Sequence, residues 1–276
     1  RHIQAMRAKG RTVYQAVREN SEDAREWRHG TFVPPTLIEL DSFDELKKEV
    51  FGPVLHVVRY NRNELDKLVE QINASGYGLT LGVHTRIDET IAQVTGSAKV
   101  GNLYVNRNMV GAVVGVQPFG GEGLSGTGPK AGGPLYLYRL LANRPENALG
   151  VTLARQDADY PVDAQLKTVL TQPLEALIAW AEKRPELRAI AQQYGELAQA
   201  GTQRLLPGPT GERNTWTLMP REHVLCVADN EQDALVQLAA AMATGCEVLW
   251  PEDTLHRDLA KQLPKAVSAR IRFAKA

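Results

Sequence analysis

The sequence predicts an α/β protein, and two strand–helix–strand segments carry this prediction. The first joins GLTLGVHT to VGNLYVN through the short helix IDETIAQVTGSA, and the second joins HVLCVAD to CEVLWP through NEQDALVQLAAAMATG. A strand, a helix and a second strand at this spacing are typical of a βαβ unit with parallel strands. Asp229 or Asn230 can cap the second helix, and Gly245 can end it. We therefore expect a parallel sheet in each half of the chain.

The length and composition are those of a globular chain with no general affinity for polyanions. At 276 residues the chain predicts about two domains, and we place the boundary near 150, between 1–150 and 151–276. A hydrophobic content of 43% with 23% charged residues excludes intrinsic disorder. The 32 basic side chains equal the 32 acidic ones, so the charge gives no support for nucleic-acid binding. No apolar run approaches the roughly 18 residues of a membrane span.

The elements of the first part follow from local signals. Pro34 and Pro35 forbid a helix interior, so the TFVPPTLIEL stretch must be extended. Asp41 or Ser42 can cap the short segment FDELKKEV. In chain order we expect one or two helices over 2–29, an extended segment over 31–40, a short capped helix over 43–50, a strand over 54–60, and an amphipathic helix from 63 to Gly76.

The second part begins with a helical region rich in Ala, Leu, Gln and Glu. We expect helices over 163–182 and 185–200, and Pro173 should kink or split the first of them. The Pro and Gly cluster LLPGPTGERN then predicts a loop that closes this region.

The cysteines and histidines predict neither a disulfide framework nor a metal site. Cys226 and Cys246 both lie in apolar strand segments, where free cysteines act as small hydrophobic residues. The six histidines are scattered without an H-x-x-x-H pair. A reducing, cytoplasmic environment is the expectation from this cysteine usage.

The first candidate for a functional site is the segment Glu49-Val50-Phe51-Gly52-Pro53. A carboxylate can accept hydrogen bonds from two adjacent ribose hydroxyls, an aromatic ring can flank a flat heterocycle, and Gly-Pro fixes a tight turn that presents both. The same residues also fit a simpler interpretation, in which Glu49 is a surface charge beside a buried Phe51.

The second candidate is a glycine-rich block, because ten of the 23 glycines fall between Gly101 and Gly133. Consecutive backbone amides in unusual conformations bind carboxylate or phosphate, so Gly111 with Ala112, and Gly120 with Gly121, could contact an anion. A set of tight turns is the alternative. No G-x-G-x-x-G follows a predicted strand, so a dinucleotide fingerprint is not supported.

Four motifs follow one another along the first part of the chain. They are GTFVPPT at 30–36, EVFGPV at 49–54, GNLYVN at 101–106 and QPFGG at 117–121, followed by Ser125-Gly126. In this order, they resemble the C-terminal half of the aldehyde dehydrogenase catalytic domain, and more narrowly the L-glutamate γ-semialdehyde dehydrogenases. Residues 151–276 are similar to the C-terminal end of bifunctional enzymes of proline catabolism.

The resemblance implies roles for five residues. Glu49 would hold the nicotinamide ribose hydroxyls of NAD, and Phe51 would flank the nicotinamide. The backbone amides of Gly111 and Ala112 would anchor the α-carboxylate of the aldehyde, and Phe119 would form an aromatic wall of its pocket. Neutral amides suit a carboxylate ligand in a loop that has only Arg107 nearby.

The resemblance also implies what the chain lacks. The family attacks the aldehyde with a Cys thiolate, and that Cys would precede Arg1, so neither Cys226 nor Cys246 can be it. We therefore expect the chain to be a C-terminal piece that is inactive alone. The parent would oxidise the semialdehyde to glutamate with NAD after an FAD-dependent step on proline. It would be a cytoplasmic homo-oligomer, with peripheral membrane association as an alternative.

Residues 215–253 resemble the first strand, helix and strand of the family's cofactor-binding lobe. Where that lobe carries a Lys-Pro that holds the adenosine ribose, this chain has Trp250-Pro251. An indole supplies no ammonium donor, so we expect a degenerate Rossmann-like unit over 211–276, after a helical linker over 151–210, that binds no nucleotide. The alternative function for this region is a noncatalytic lid or oligomerisation module.

Overall fold

A computed structural model describes residues 1–16, 30–143, 145 and 164–275. These residues divide into two compact units. The first comprises Arg1–Ala112 and Phe119–Ala131, and the second comprises Val113–Pro118 and Gly132–Ala276. The predicted boundary at 150 lies outside the described residues, so it stays a prediction. Both units combine helices with parallel strands, as expected for an α/β protein.

The first unit begins with a three-stranded sheet against which a short helix packs. Its strand order is β1-β2-β3, with β1 antiparallel and β3 parallel to β2. Alternate residues of β2 are buried, and Ile38 and Leu40 form a small core with Met6 of α1. The elements are α1 (His2–Ala8), β1 (Val13–Gln15), β2 (Thr36–Leu40) and β3 (Val54–Val58).

Of the one or two helices predicted over 2–29, the described residues contain α1, and the prediction is wrong at Val13–Gln15. Val13 lies in β1, because pairing with Ile38 on β2 gives its backbone a sheet partner. Residues 17–29 lie outside the described part of the chain. The predicted helix over 43–50 is also wrong beyond Phe43–Glu45, a single 3₁₀ turn whose N-cap is Ser42. So short a segment does not propagate a helix without packing to support it.

The predicted βαβ unit of the first part is confirmed. The strands β5 and β6 run parallel, with Thr80 opposite Asn102, and a helix joins them. The preceding helix ends where Gly76 adopts a φ of 76°. The remaining elements of this unit are α2 (Leu65–Ala74), β4 (Tyr77–Gly78), β5 (Thr80–Val83), α3 (Asp88–Ser97), β6 (Asn102–Val105) and β7 (Glu122–Gly123).

The second unit packs helices on a parallel sheet of order β10-β11-β12. The Asn230 side chain accepts a hydrogen bond from the Asp233 amide, and Gly245 has a φ of 74°, so both predicted helix ends are confirmed. The described elements are α4 (Ala164–Trp180), α5 (Pro185–Leu197), β8 (Gln203–Leu206), β9 (Asn214–Thr217), β10 (His223–Leu225), α6 (Glu231–Ala243), β11 (Glu247–Pro251), α7 (Thr254–Gln262), α8 (Lys265–Ser268) and β12 (Ile271–Ala274).

The structure contradicts one of the two alternatives stated for Pro173. The helix α4 runs through Pro173 without splitting, because Leu174 and Leu177 are buried in the core and their packing outweighs one missing backbone bond. The loop predicted at the Pro and Gly cluster is confirmed, and it connects an antiparallel hairpin in which β8 pairs with β9. None of the described helices is both long and apolar enough to cross a membrane.

Three glycines of the glycine-rich block, one directly before β6 and two after it, allow backbone to pack on backbone. A Cβ atom on Gly101 would lie 1.8 Å from the carbonyl oxygen of Gly120, and one on Gly121 would lie 2.5 Å from that of Ser125. Gly123 has a φ of 57°, and its Cβ would lie 2.4 Å from the carbonyl oxygen of Gly76. At these positions, the close approach predicted for this block is made by the protein's own backbone.

A histidine pair joins α1 to β3. The Nε2 atoms of His2 and His56 are 2.8 Å apart, so one ring donates and the other must be neutral to accept. Burial lowers the pKa of both imidazoles, and the charge of Lys9 lowers that of His2 further. Since unfolding restores the ordinary pKa of 6.5, the unfolded chain binds more protons at low pH.

We predict that the free energy of unfolding is highest above pH 6.5 and decreases as the pH falls, because the neutral pair is lost on protonation. His56→Gln should flatten this dependence and cost about 1 kcal/mol at pH 7.5, the usual net contribution of one hydrogen bond. Urea unfolding of each variant at pH 7.5 and at pH 5 measures the loss of stability and its pH dependence. His84→Gln, at an exposed position, is the control variant. Equal pH dependence in the two variants would contradict the assignment.

We predict opposite effects for alanine at two glycines. Gly101→Ala should destabilise the chain by about 3 kcal/mol, because the new methyl group collides with a backbone carbonyl. Gly96→Ala should stabilise it by about 0.5 kcal/mol, since Gly96 lies in α3 with open space around its Cβ position. Circular dichroism during urea unfolding measures both changes, and a neutral Gly101→Ala would show that the two backbones are not in contact.

Candidate functional site

Glu49 and Phe51 lie in the loop over 46–53, which joins the 3₁₀ turn to β3. The loop ends in a turn that the backbone fixes: the Thr36 amide donates to the Pro53 carbonyl at 2.8 Å, and the Val54 amide donates to that of Gly52 at 2.8 Å. Gly52 has a φ of 135°, which side-chain-bearing residues rarely adopt. The turn therefore holds the loop at the entrance to a parallel strand.

Both candidate side chains of this loop are exposed. Phe51 is 89% exposed, so the interpretation as a core ring beside a surface charge is wrong. Glu49 is exposed as well, and the structure records no hydrogen bond or ion pair for its carboxylate within the described residues. An exposed ring beside an acceptor-only group is able to receive a flat ligand that carries hydroxyl donors.

Gly111 and Ala112 lie after β6, in a segment whose start is fixed by one asparagine. The Asn106 amide donates to the Val83 carbonyl at 2.9 Å, and its side-chain oxygen accepts from the Thr85 amide at 3.0 Å. Asn106 adopts a φ of 55°, which suits a residue that redirects the chain. A Cβ on Gly111 would meet no atom within 4 Å, so there is open space beside this backbone.

Residues Val113–Pro118 belong to the second unit, where Gln117 closes a turn. Its buried side chain accepts from the Val113 amide at 3.0 Å and donates to Asn214 Oδ1 of β9 at 3.0 Å. Its own amide donates to the Val113 carbonyl at 2.9 Å. The sequence reasoning did not single out Gln117, because its side-chain partner lies 97 residues away.

Phe119 and Gly120 return the chain to the first unit. The amide of Phe119 donates to the Ala131 carbonyl at 3.0 Å, and the amide of Ala131 donates back at 2.8 Å. The Gly120 amide donates to Asn102 Oδ1 at 3.2 Å. The expectation that Gly120 contacts an anion is therefore wrong, because a protein acceptor already uses its amide.

Lys130 is a site residue that the sequence reasoning missed. Its ammonium group donates to the Gly101 carbonyl, to Asn102 Oδ1 at 3.2 Å and to the Gly120 carbonyl at 2.9 Å. Burial lowers the pKa of Lys130, and the charge of Glu122 acts in the opposite direction. The available signal was its position as the only lysine in the block from Gly101 to Gly133.

The structure places the candidate residues on two loops. Gly111, Ala112 and Phe119 follow β6, and Glu49 and Phe51 precede β3; all five belong to the first unit. The hydrogen bonds and ring contacts recorded for the described residues do not join the two loops. Within the described ranges, no group of three or more His, Cys, Asp or Glu side chains could hold a metal ion.

The cysteines lie in the core of the second unit. Cys226 and Cys246 are both buried and unpaired by disulfide. Burial raises the pKa of the Cys226 thiol, which keeps it protonated at neutral pH. The prediction that both act as small hydrophobic residues is confirmed.

Comparison with known proteins assigns the chain to a family. The aldehyde dehydrogenase family model matches residues 1–142. All 276 residues align at 87% identity with the bifunctional protein PutA of Klebsiella aerogenes, of which they cover 21%. The 1-pyrroline-5-carboxylate dehydrogenase 1 of Halalkalibacterium halodurans is 47% identical over 110 residues, which are 39% of this chain and 21% of that protein.

Among solved structures, proline utilization A of Bradyrhizobium japonicum aligns with 53% identity and a TM-score of 0.45, over 50% of this chain and 13% of that one. The chain spans about a fifth of the length of the curated relatives that it matches. Because the family model covers more than half of the sequence, the chain belongs to the aldehyde dehydrogenase family.

Proposed function

We propose that this chain carries the NAD-binding and aldehyde-binding side of an L-glutamate γ-semialdehyde dehydrogenase that acts in proline catabolism. The observation that carries the proposal is the exposed pair Glu49 and Phe51, held on a hydrogen-bonded turn in a chain of the aldehyde dehydrogenase family. The similarity to PutA and to a 1-pyrroline-5-carboxylate dehydrogenase supports the choice of substrate.

The residues of the 46–53 loop fit NAD. A carboxylate accepts hydrogen bonds and donates none, and two neighbouring ribose hydroxyls are matching donors. The Phe51 ring is open to solvent, so a flat heterocycle can lie against it without displacing a core residue. NAD supplies the hydride acceptor when bound, and in this proposal Glu49 and Phe51 bind and orient its nicotinamide end.

Gly111 and Ala112 fit the carboxylate of the aldehyde. The open space beside Gly111 lets a ligand approach the backbone, and neutral amides can bind a carboxylate without the burial of a charged protein side chain. Phe119 is half-buried and fixed at both its amide and its carbonyl, as suits one wall of a pocket.

The nucleophile must come from outside this sequence. The family chemistry needs a reactive thiolate near the nicotinamide, and both cysteines here are buried in the second unit. We infer that the chain binds and orients ligands but does not turn over by itself. The FAD-dependent step on proline, self-association and a cytoplasmic location are further parts of this proposal for the whole protein.

We also infer that residues 211–276 form a Rossmann-like unit without a nucleotide. The support is Trp250, which occupies the place of the expected lysine on β11 and is completely buried in the core. A side chain packed in this way presents no donor to a ribose. The β8–β9 hairpin holds Gln117 through Asn214, which favours a supporting, noncatalytic function for this region.

We predict that two substitutions separate cofactor binding from aldehyde binding in a full-length protein that contains this sequence. Glu49→Gln should raise KM for NAD about tenfold, the effect of roughly 1.4 kcal/mol, and leave KM for the aldehyde unchanged. Gly111→Val should do the reverse, because its side chain blocks the approach to the backbone. Each variant is the other's control in a steady-state assay of NADH formation, and the same effect on both substrates in either variant would refute that assignment.

We predict that the second unit binds no NAD, as measured by the heat released in isothermal titration calorimetry. The test uses this chain with Glu49→Ala and Phe51→Ala together, which remove the cofactor contacts proposed for the first unit. NAD should then release no saturable heat. A saturable signal that survives both substitutions would overturn the inference for 211–276.

A further inference from the structure

We propose that Lys130 is a positioning residue of the aldehyde pocket, and that it acts by holding Phe119 and Gly120 against the start of β6. The part of this inference that concerns substrate binding rests on the proposed function. The holding itself is a property of the fold that can be measured without substrate.

The ammonium group of Lys130 has as many donors as it has acceptors around it. A lysine offers three N–H groups, and three oxygens accept from it: the Gly101 carbonyl, the Asn102 side chain and the Gly120 carbonyl. Every donor is used within the protein. Lys130 therefore has no donor left for a substrate carboxylate, and its effect on the substrate must act through the residues that it holds.

The position of Lys130 between two fixed backbones makes the contact rigid. The next residue, Ala131, exchanges two hydrogen bonds with Phe119. The residue after Phe119, Gly120, accepts from Lys130 and donates to Asn102 Oδ1. Phe119 and Gly120 are thus tied on one side to Lys130 and Ala131, and on the other side to the first residue of β6.

The approach of Gly101 to Gly120 favours a cation at this point. A Cβ on Gly101 would lie 1.8 Å from the Gly120 carbonyl oxygen, so the two backbones are too close for a side chain at Gly101. Lys130 donates to three partly negative oxygens here, and a neutral apolar side chain in its place would remove one donor from each of them. Charge-assisted hydrogen bonds are stronger than neutral ones, which favours an ammonium despite its burial.

The consequence for Phe119 is direct. Its ring can form a constant wall only if its backbone cannot shift, and the backbone hydrogen bonds recorded for its amide and its carbonyl within the described residues are both with Ala131. Loss of Lys130 would release the neighbouring Gly120 carbonyl, and the segment would then move as a unit. In this inference, the shape of the pocket depends on a lysine whose three donors are all used within the protein.

The test replaces Lys130 in a full-length protein that contains this sequence. Lys130→Met keeps an unbranched side chain of similar length and removes the N–H donors. Lys67→Met, at an exposed helix position, is the matched control. Hydrogen exchange, measured without substrate, should increase about tenfold or more at the amides of Phe119, Gly120 and Ala131 in Lys130→Met only. Exchange in β2 should be unchanged, which shows that the variant is folded.

Steady-state kinetics provide the second measurement. Lys130→Met should raise KM for the aldehyde about tenfold while kcat changes less than about threefold, a tenfold change being equivalent to about 1.4 kcal/mol. KM for NAD should stay at the wild-type value. Asn102→Ala removes a shared acceptor, and its effect should combine less than additively with that of Lys130→Met because both belong to one network.

The outcomes separate this inference from the proposed function. Unchanged exchange at Phe119, Gly120 and Ala131 overturns the inference, whatever the enzyme does. Faster exchange with an unchanged KM for the aldehyde also overturns it, because Lys130 is then structural only. If the wild-type protein oxidises no aldehyde, the proposed function fails, and the exchange data alone decide whether Lys130 holds this segment.

Discussion

The contact between the backbones of Gly101 and Gly120 is the constraint on which the first unit's candidate pocket depends. No other residue type fits at Gly101, because a Cβ atom would overlap a carbonyl oxygen. Lys130 donates to three oxygens at this contact, those of the Gly101 carbonyl, the Asn102 side chain and the Gly120 carbonyl. Next to Gly120, Phe119 exchanges two backbone hydrogen bonds with Ala131.

In the second unit, apolar packing buries side chains that could otherwise bind a ligand or react. Trp250, Cys226 and Cys246 are all residues that could bind or react if they were exposed, and all are buried in one core. The raised pKa of the Cys226 thiol is a direct result of this burial. The polar contact recorded between Gln117 and Asn214 Oδ1 in this unit joins two parts of the chain that are 97 residues apart.

Local signals in the sequence predicted the parts of the fold that depend on neighbours in the chain. The two βαβ units, the Asn230 cap and the Gly245 helix end all rest on residues a few positions apart. Pro173 does not split its helix, because tertiary packing of Leu174 and Leu177 holds the turns on both sides of it together. Lys130 and Gln117 were missed because their partners are distant: Gly101 lies 29 residues from Lys130, and Asn214 lies 97 from Gln117.

The most direct test of the proposed function is a crystal structure of a full-length protein that contains this sequence, bound to NAD and to L-glutamate as the product. In that structure, we expect the Glu49 carboxylate to accept hydrogen bonds from both nicotinamide ribose hydroxyls. We also expect the α-carboxylate of glutamate to lie about 3 Å from the amides of Gly111 and Ala112, a normal hydrogen-bond distance. A ribose away from Glu49, or a carboxylate bound by Lys130, would contradict these expectations.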